Sequence, residues 1–449
     1  MTSEHPTEDP TPDPVEEPAE IPLLTLRDGL PPVVDTEPAL VELCERIAAG
    51  SGPVAVDAER ASGYRYSSRA YLIQLRREGS GTFLLDPIPF GALPQLQEVL
   101  EGTEWILHAA TQDLPCLAEV GLQPTALFDT ELAGRLLGYP RVGLATLVES
   151  LLGARLAKEH SAVDWSTRPL PGPWLEYAAL DVEVLVELRA QLHAELVAAG
   201  KDEWARQEFD ALRSFRPTPR VEAWRRTSGM HRVRGRRGLG AVRALWEVRD
   251  SLAEQRDVTP GRIIPDAAIV AAAQAMPSDR DALLATKGFH GRGAERYAGR
   301  WVAALREVAE MPESELPTRS PRGDGPPLPR AWAEKDPVAA RRLVLARDAM
   351  TARAEELNLP VENLLTPDYL RRTLWTPPAT RDPDRLPPLV ADQLTAYGAR
   401  PWQVEIAGPI IVDAILTAEQ EPAVEPVVEA VVEQDDPDEP ASEQPAADD

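Results

Sequence analysis

Asp57 and Glu59 stand two apart in the run Pro53-Val54-Ala55-Val56-Asp57-Ala58-Glu59. Side chains at i and i+2 of a strand share one face. The apolar residues before the pair make a buried strand, so its end presents two carboxylates side by side at the rim of a sheet. Adjacent carboxylates repel, and they suit a protein interior only when a cation joins them. Two more acids extend the set. Asp113 follows a second apolar stretch, close to a helix start for which Thr111 suits the cap and Pro115 the first turn. Asp181 lies four residues after Tyr177, which puts phenol and carboxylate on one helix face, and the intervening Ala178 and Ala179 allow close packing. Each acid alone also fits an ordinary surface or helix-terminal carboxylate. Together they fit phosphodiester hydrolysis by two divalent ions, which needs several hard oxygen ligands converging on ions roughly 3.5–4 Å apart. One ion of such a pair activates a water and the other stabilises the leaving oxygen. A tyrosine one turn before the last acid can position that water. Mg²⁺ is the natural ion, and Mn²⁺ fits the same oxygens.

The elements that must carry these residues follow from hydrophobic pattern. Residues 53–59, 71–77, 82–86 and 104–109 read as short strands, the first three close enough for an antiparallel meander. Helical patterns cover 93–101, 112–120, 130–138, 143–152 and 171–198. The expected fold class is an α/β N-terminal domain, a mixed sheet flanked by helices, over residues 23–212. Residues 212–243 hold ten arginines against the single acid Glu222, and mark a basic interdomain linker at 213–234. Two all-α domains follow, at 235–313 and 331–416, separated by a Pro-rich linker at 314–330. The two resemble a diverged repeat: Leu245-Trp246-Glu247-Val248-Arg249-Asp250 is echoed by Leu343-Val344-Leu345-Ala346-Arg347-Asp348, and Ile263-Ile264-Pro265-Asp266 by Leu364-Leu365-Thr366-Pro367-Asp368.

Taken in order, these motifs resemble the DEDD exonuclease superfamily in its tyrosine-containing branch. Asp57-x-Glu59 is similar to its first motif. His108-Ala109-Ala110-Thr111-Gln112-Asp113 is similar to the second in its ribonuclease D form, and Tyr177-x-x-x-Asp181 to the third. Arg69-Ala70-Tyr71-Leu72-Ile73-Gln74-Leu75 resembles the family's second strand, and Asp164-Trp165-Ser166-Thr167-Arg168-Pro169-Leu170 the stretch before its third motif. Residues 235–313 look like an HRDC domain, and 331–416 like a second, more diverged one. The resemblance implies a ribonuclease H-like fold. It also implies 3′→5′ exoribonuclease activity that releases 5′-nucleoside monophosphates from RNA 3′ ends such as those of tRNA precursors. It assigns Asp57, Glu59 and Asp181 to the nucleophile-side metal, and Asp57 with Asp113 to the second. Tyr177 then orients the attacking water, and His108 contacts substrate or a neighbouring group.

Composition sets the partners. The net charge of −26 sits largely in the tails. Residues 1–22 carry seven acids and 418–449 carry twelve, with no Lys or Arg in either, which leaves about −7 for the rest. Both tails, 1–22 and 417–449, are rich in Pro, Glu, Ala and Asp, and are expected to be disordered. Positive charge for an RNA backbone is expected from Arg225, Arg226, Arg234, Arg236 and Arg237 in the linker and next helix. Lys287, His290, Arg292, Arg296 and Arg300 form a weaker basic edge, and Trp165, Trp224 and Trp246 are candidates for base stacking or for core. The two cysteines, Cys44 and Cys116, exclude a disulfide framework and suit a reducing cytoplasm. No signal peptide, membrane span or nucleotide-cofactor motif is found. Two other classes remain beside the exoribonuclease: a DNA 3′→5′ exonuclease, since only 2′-OH contacts separate the sugars, and a catalytically silent RNA-binding protein, which the intact set of acids disfavours.

Overall fold

The computed structural model describes residues 21–157, 160, 162–218, 221–318 and 325–420. The acidic tails of the sequence reading lie outside these residues apart from their inner ends, and so do Arg220 and part of the second linker.

Six strands form one mixed sheet: β1 (Val33–Val34), β2 (Ser51–Arg60), β3 (Ala70–Glu78), β4 (Gly81–Leu85), β5 (Glu104–Leu107) and β6 (Ala126–Asp129), in the order β1-β4-β3-β2-β5-β6. The β2-β3-β4 meander is antiparallel, and β5 and β6 add in parallel beside β2. Alternation along β2 sorts its side chains. Val54, Val56 and Ala58 join Ile73, Leu75 and Trp105 in a core with α1 (Glu37–Ala49), α2 (Pro94–Leu100) and α3 (Leu114–Glu119). Ala55, Asp57 and Glu59 therefore face the opposite layer. That layer contains α4 (Thr130–Leu137), α5 (Leu144–Leu152), α6 (Gly172–Glu183), α7 (Leu185–Ala198) and α8 (Asp202–Arg213).

Several elements differ from the sequence reading. The pattern over 171–198 is two helices that break at Val184, so α6 can lie across β2, β3 and β4 while α7 turns toward β5. β6 has only four residues, too short for a clear period, and α1 and α8 were not among the expected helices. The last helix runs through Gln420, beyond the boundary expected at 416, because Glu419 is anchored by Arg342 and Arg381.

The first helical unit comprises α9 (Gly235–Arg256), α10 (Asp266–Ala275), α11 (Arg280–Leu284), α12 (Arg292–Arg296) and α13 (Ala298–Glu310), closed over Leu245, Ile269, Phe289 and Trp301. The second comprises α14 (Trp332–Lys335), α15 (Pro337–Glu356), α16 (Val361–Leu364), α17 (Pro367–Trp375), α18 (Leu386–Tyr397) and α19 (Pro401–Gln420). Both units begin their common pattern with a long helix, then one turn of helix, then a short one, which agrees with the echo in sequence. Their ion pairs have diverged. Arg249 bonds Asp266 at 2.6 Å, whereas Asp368, the counterpart of Asp266, bonds Arg371 and Arg372.

The two units attach differently. The second shares a continuous apolar core with α4, α7 and α8. Trp402 stacks on Trp204 at 4.8 Å and donates to Glu208, while the Lys201 ammonium donates to the carbonyls of Leu136, Leu357 and Asn358. The first unit grips the loop between β2 and β3 mainly by polar bonds. Asp257 accepts from the Ser67 amide at 2.9 Å and from the Tyr71 hydroxyl, the Tyr66 hydroxyl donates to Asp250, and the Thr259 amide donates to the Tyr64 carbonyl.

Candidate active site

Three of the expected acids meet. Asp57, Glu59 and Asp181 each offer a carboxylate oxygen, and these oxygens lie within 4.8 Å of one another. Strand β2 supplies the first two from its exit end, and α6 lowers Asp181 onto them because Ala178 and Ala179 are fully buried against the sheet. Asp113 falls outside that trio but lines the same cavity of about 450 Å³, with His108, Gln112, Tyr177 and Arg60. Its approach to Asp57 and Glu59 is close enough for their charges to act on one another.

The placement of Asp113 has a local cause that the motifs did not reveal. After β5 the chain turns through Ala109, which sits in the left-handed region at φ 58°, into a single 3₁₀ turn at Ala110–Gln112. Such a conformation costs an L-residue free energy. It is held by Asp129, whose carboxylate accepts from the amides of Ala109 and Ala110 at 3.2 and 2.8 Å. The same carboxylate caps α4 through the amides of Glu131 and Leu132. Asp129 is 3% exposed and does not line this cavity, so it positions the second motif rather than joining it. The only sequence signal was an acid directly before a helical pattern. Thr111 does not cap the next helix; Asp113 itself precedes Leu114 there.

Electrostatics matches the crowding. Burial first, then the charges of Asp57, Asp181 and Asp113, pushes Glu59 from its ordinary 4.5 to about 10. Asp57, Asp113 and Asp181 are likewise raised, chiefly by burial. Arg60, at 3.9 Å from Asp113, opposes this repulsion at Asp57, Glu59 and Asp113. Burial and the neighbouring carboxylates also raise Tyr177, so its phenol keeps its proton beside Asp181. Burial pushes His108 down to about 4, which leaves it neutral. Its Nδ1 lies 2.9 Å from the Thr130 hydroxyl, and that hydroxyl donates to the Leu107 carbonyl. Nδ1 therefore carries the proton, and Nε2 is the acceptor. A set of buried hard oxygens with a single weak cationic neighbour is chemically suited to divalent cations.

The expected basic residues separate into two groups. Arg225 is bound by Glu222 and lies over the Trp224 ring; Arg236 donates to the carbonyls of Leu316 and Pro317; Arg237 donates to those of Val308, Ala309 and Met311. These three hold the first helical unit together. Arg226 and Arg234 are exposed and form no ion pair among the described residues. Lys287, His290, Arg292, Arg296 and Arg300 are exposed on the same unit. Trp165 and Trp224 are buried core residues, and Trp246 packs against the core of the first helical unit. Among the described residues no helix is long and apolar enough to cross a membrane.

Comparison with known proteins agrees with this architecture. Residues 31–197 match the family described as 3′-5′ exonuclease, 238–305 the HRDC domain, and 325–415 the 3′ to 5′ exonuclease C-terminal domain. The second helical unit, read from sequence as HRDC-like, thus matches a family of its own description. Ribonuclease D of Acidiphilium cryptum is 33% identical over 356 residues, which cover 74% of this chain and 88% of that protein. A crystal structure of a protein from Bifidobacterium adolescentis is 38% identical with a TM-score of 0.79, and covers 88% of this chain and 100% of that one. The structure of Escherichia coli RNase D, described as an exoribonuclease involved in structured RNA processing, is 25% identical with a TM-score of 0.59, over 81% of this chain and 97% of that one. With the acids of three motifs gathered on the matching exonuclease domain, and an HRDC domain behind it, this chain belongs to the ribonuclease D family and is a 3′→5′ exoribonuclease.

Proposed function

We propose that this enzyme trims RNA 3′ ends, those of tRNA precursors in particular, one 5′-nucleotide at a time, with two divalent cations held by Asp57, Glu59, Asp113 and Asp181. The observation that carries the reading is the meeting of oxygens from three half-buried carboxylates within 4.8 Å at the wall of an open cavity. Asp57, Glu59 and Asp181 would share the cation on the nucleophile side, and Asp57 with Asp113 the other. Bound there, Mg²⁺ or Mn²⁺ would supply a water of lowered pKa and charge stabilisation for the leaving 3′ oxygen. The side chains do the rest. Tyr177, held neutral, gives its one phenolic proton to Asp181, which fixes the phenol, and its oxygen would accept from the attacking water and so orient it. His108 presents Nε2 as an acceptor, which suits a ribose hydroxyl. Arg226 and Arg234, exposed and without internal ion pairs, take the backbone phosphates upstream. Arg225, Arg236 and Arg237 support that surface from within. In this reading the catalytic domain spans 23–212, the linkers 213–234 and 314–330, and the helical domains 235–313 and 331–420, the last bound moved from 416 by the length of α19. The enzyme works in the cytoplasm, where Cys44 and Cys116 stay reduced.

The test uses Asp57→Asn and Asp181→Asn on a tRNA precursor with Mg²⁺ or Mn²⁺. Release of mononucleotides should stop while circular dichroism stays that of the wild type. Full activity in either variant ends the assignment. Matched RNA and DNA oligonucleotides test the sugar preference, with RNA expected to be degraded faster.

A further inference from the structure

Gln74 is fully buried on β3, and neither its amide nitrogen nor its amide oxygen has a hydrogen-bond partner among the described residues. No other side chain among them has both polar atoms buried and unpartnered in this way. Burying an amide without a partner costs about 1–3 kcal/mol in proteins, so a polar residue between Ile73 and Leu75 calls for a reason. Sheet register supplies one. Gln74 is the direct antiparallel partner of Asp57. Directly opposed residues share a face of the sheet, with Cβ atoms about 5 Å apart. Gln74 therefore lies on the layer where Asp57 and Glu59 emerge, beneath α6.

The other polar groups on that layer are already engaged. Two residues along β3, Arg76 donates to Glu183 at 2.9 Å and to Thr82 at 2.7 Å. The Thr82 hydroxyl also donates to Glu183, and the Arg27 amide takes the remaining oxygen of that carboxylate. Glu183, 1% exposed at the end of α6, is thus saturated. Of the acids on that layer, Asp57 is the one directly opposite Gln74 in the register. Shared between two cations, its carboxylate would still keep a lone pair on each oxygen for a donor.

We infer that Gln74 is a positioning residue for the reaction: in the cation-loaded site its Nε2 donates to a lone pair of the Asp57 carboxylate that the cations leave free, and so fixes that carboxylate for binding them. The inference rests on the proposed role of Asp57 as a cation ligand. It predicts that Gln74 matters for cation affinity and turnover, although it touches neither RNA nor cation. Partners at this remove typically contribute 10–100-fold to metal affinity.

The experiment is Mn²⁺ titration by calorimetry on the full chain as wild type, Gln74→Met and Asp57→Asn, with kcat and KM on one RNA. Met matches Gln in length and removes the unpartnered amide, so the metal-free variant should melt no lower than the wild type. Its Mn²⁺ affinity should fall at least 10-fold, with kcat reduced and KM for RNA unchanged. Unaltered Mn²⁺ affinity in Gln74→Met, with Asp57→Asn impaired, overturns the inference alone. Equal Mn²⁺ binding by wild type and Asp57→Asn removes the reading of the site and the inference with it. Should Gln74→Met not fold, the wild type carries the test through the Gln74 side-chain ¹H–¹⁵N signals. These should move on addition of Mg²⁺; if they stay in place, the inference fails.

Discussion

Replacing Glu59 by Gln should make the metal-free enzyme more stable at neutral pH, not less. Three carboxylate oxygens lie within 4.8 Å of one another. At that separation two full charges repel by about 3.5 kcal/mol in a protein of effective dielectric about 20. Three charged pairs would consume most of a total stability of about 5–15 kcal/mol, so without cations the site takes up protons instead. Glu59, pushed to about 10, retains its proton in the folded state, whereas the unfolded chain releases it above its ordinary 4.5. Below pH 4.5 both states are protonated and the residue is neutral in its effect. From there to about pH 10 the unfolded chain binds fewer protons, so stability falls by about 1.4 kcal/mol for each pH unit. At pH 7.5 the loss is at most about 4 kcal/mol. Gln keeps the shape and has no proton to hold.

Thermal unfolding in excess chelator should therefore show Glu59→Gln above the wild type by roughly 2–4 kcal/mol at pH 7.5, about 2–5 °C for a chain of this size. The gap should close toward pH 4.5. Saturating Mn²⁺ should reverse the order, because a ligand of the folded state stabilises in proportion to its affinity and the variant has lost one oxygen ligand. A variant no more stable than the wild type at pH 7.5 in chelator, or one whose advantage persists unchanged at pH 4.5, would refute the account of repulsion. It would mean that these acids do not crowd one another in the folded chain.

The other expectations address parts around this centre. Tyr177→Phe should lower kcat roughly 100-fold with little change in KM, since the role proposed for the phenol is on the attacking water and not on RNA binding; an equal loss in KM argues otherwise. Asp129→Ala removes the acceptor of four backbone amides and should cost roughly 3–4 kcal/mol in urea unfolding, with activity reduced even where the protein is folded. Lys201→Met strands three carbonyls between the exonuclease domain and the second helical unit and should cost roughly 2–4 kcal/mol by the same assay. Asp257→Ala should speed amide hydrogen exchange in the loop 61–69 about 10-fold and leave the strands unchanged.

The sequence made the chemistry more legible than its support. Asp57, Glu59, Tyr177 and Asp181 were readable because strand and helix periods place them on shared faces whatever the tertiary structure. Asp113 was readable as a member of the set, but not its distance from the other three. That depends on a left-handed turn at Ala109 whose clamp, Asp129, is a fold neighbour across β5 and β6. Gln74 passed as an ordinary strand residue, since its meaning lies in register with Asp57. The arginines divide into two kinds that composition does not separate. A cluster of positive charge looks like an RNA surface from composition, yet Arg237 caps carbonyls at the end of α13 and Arg236 those of Leu316 and Pro317 beyond it, a use invisible without the partner's position. The broken helix at Val184 was hidden because apolar residues continue on both sides of it.

The unequal docking of the two helical units bears on how RNA reaches the acids. The second unit shares its core with α4, α7 and α8, so it cannot part from the catalytic domain without exposing Trp402 and Trp204 to water, a substantial hydrophobic cost. The first unit is held mainly by polar contacts to residues 64–71, where Arg262 lies over Tyr64 at 4.8 Å and Arg69 faces Asp257. Such contacts exchange readily for water and weaken with salt. The gripped loop starts one residue after Arg60 and, with Ala162 and Val163, forms the wall of a second cavity that shares Glu59 with the first. Any displacement of the HRDC unit is thus transmitted to the wall beside the catalytic acids, while the opposite side of the sheet stays fixed. High salt should then loosen the HRDC unit before it unfolds the catalytic domain, and reduce activity beyond what phosphate screening alone removes.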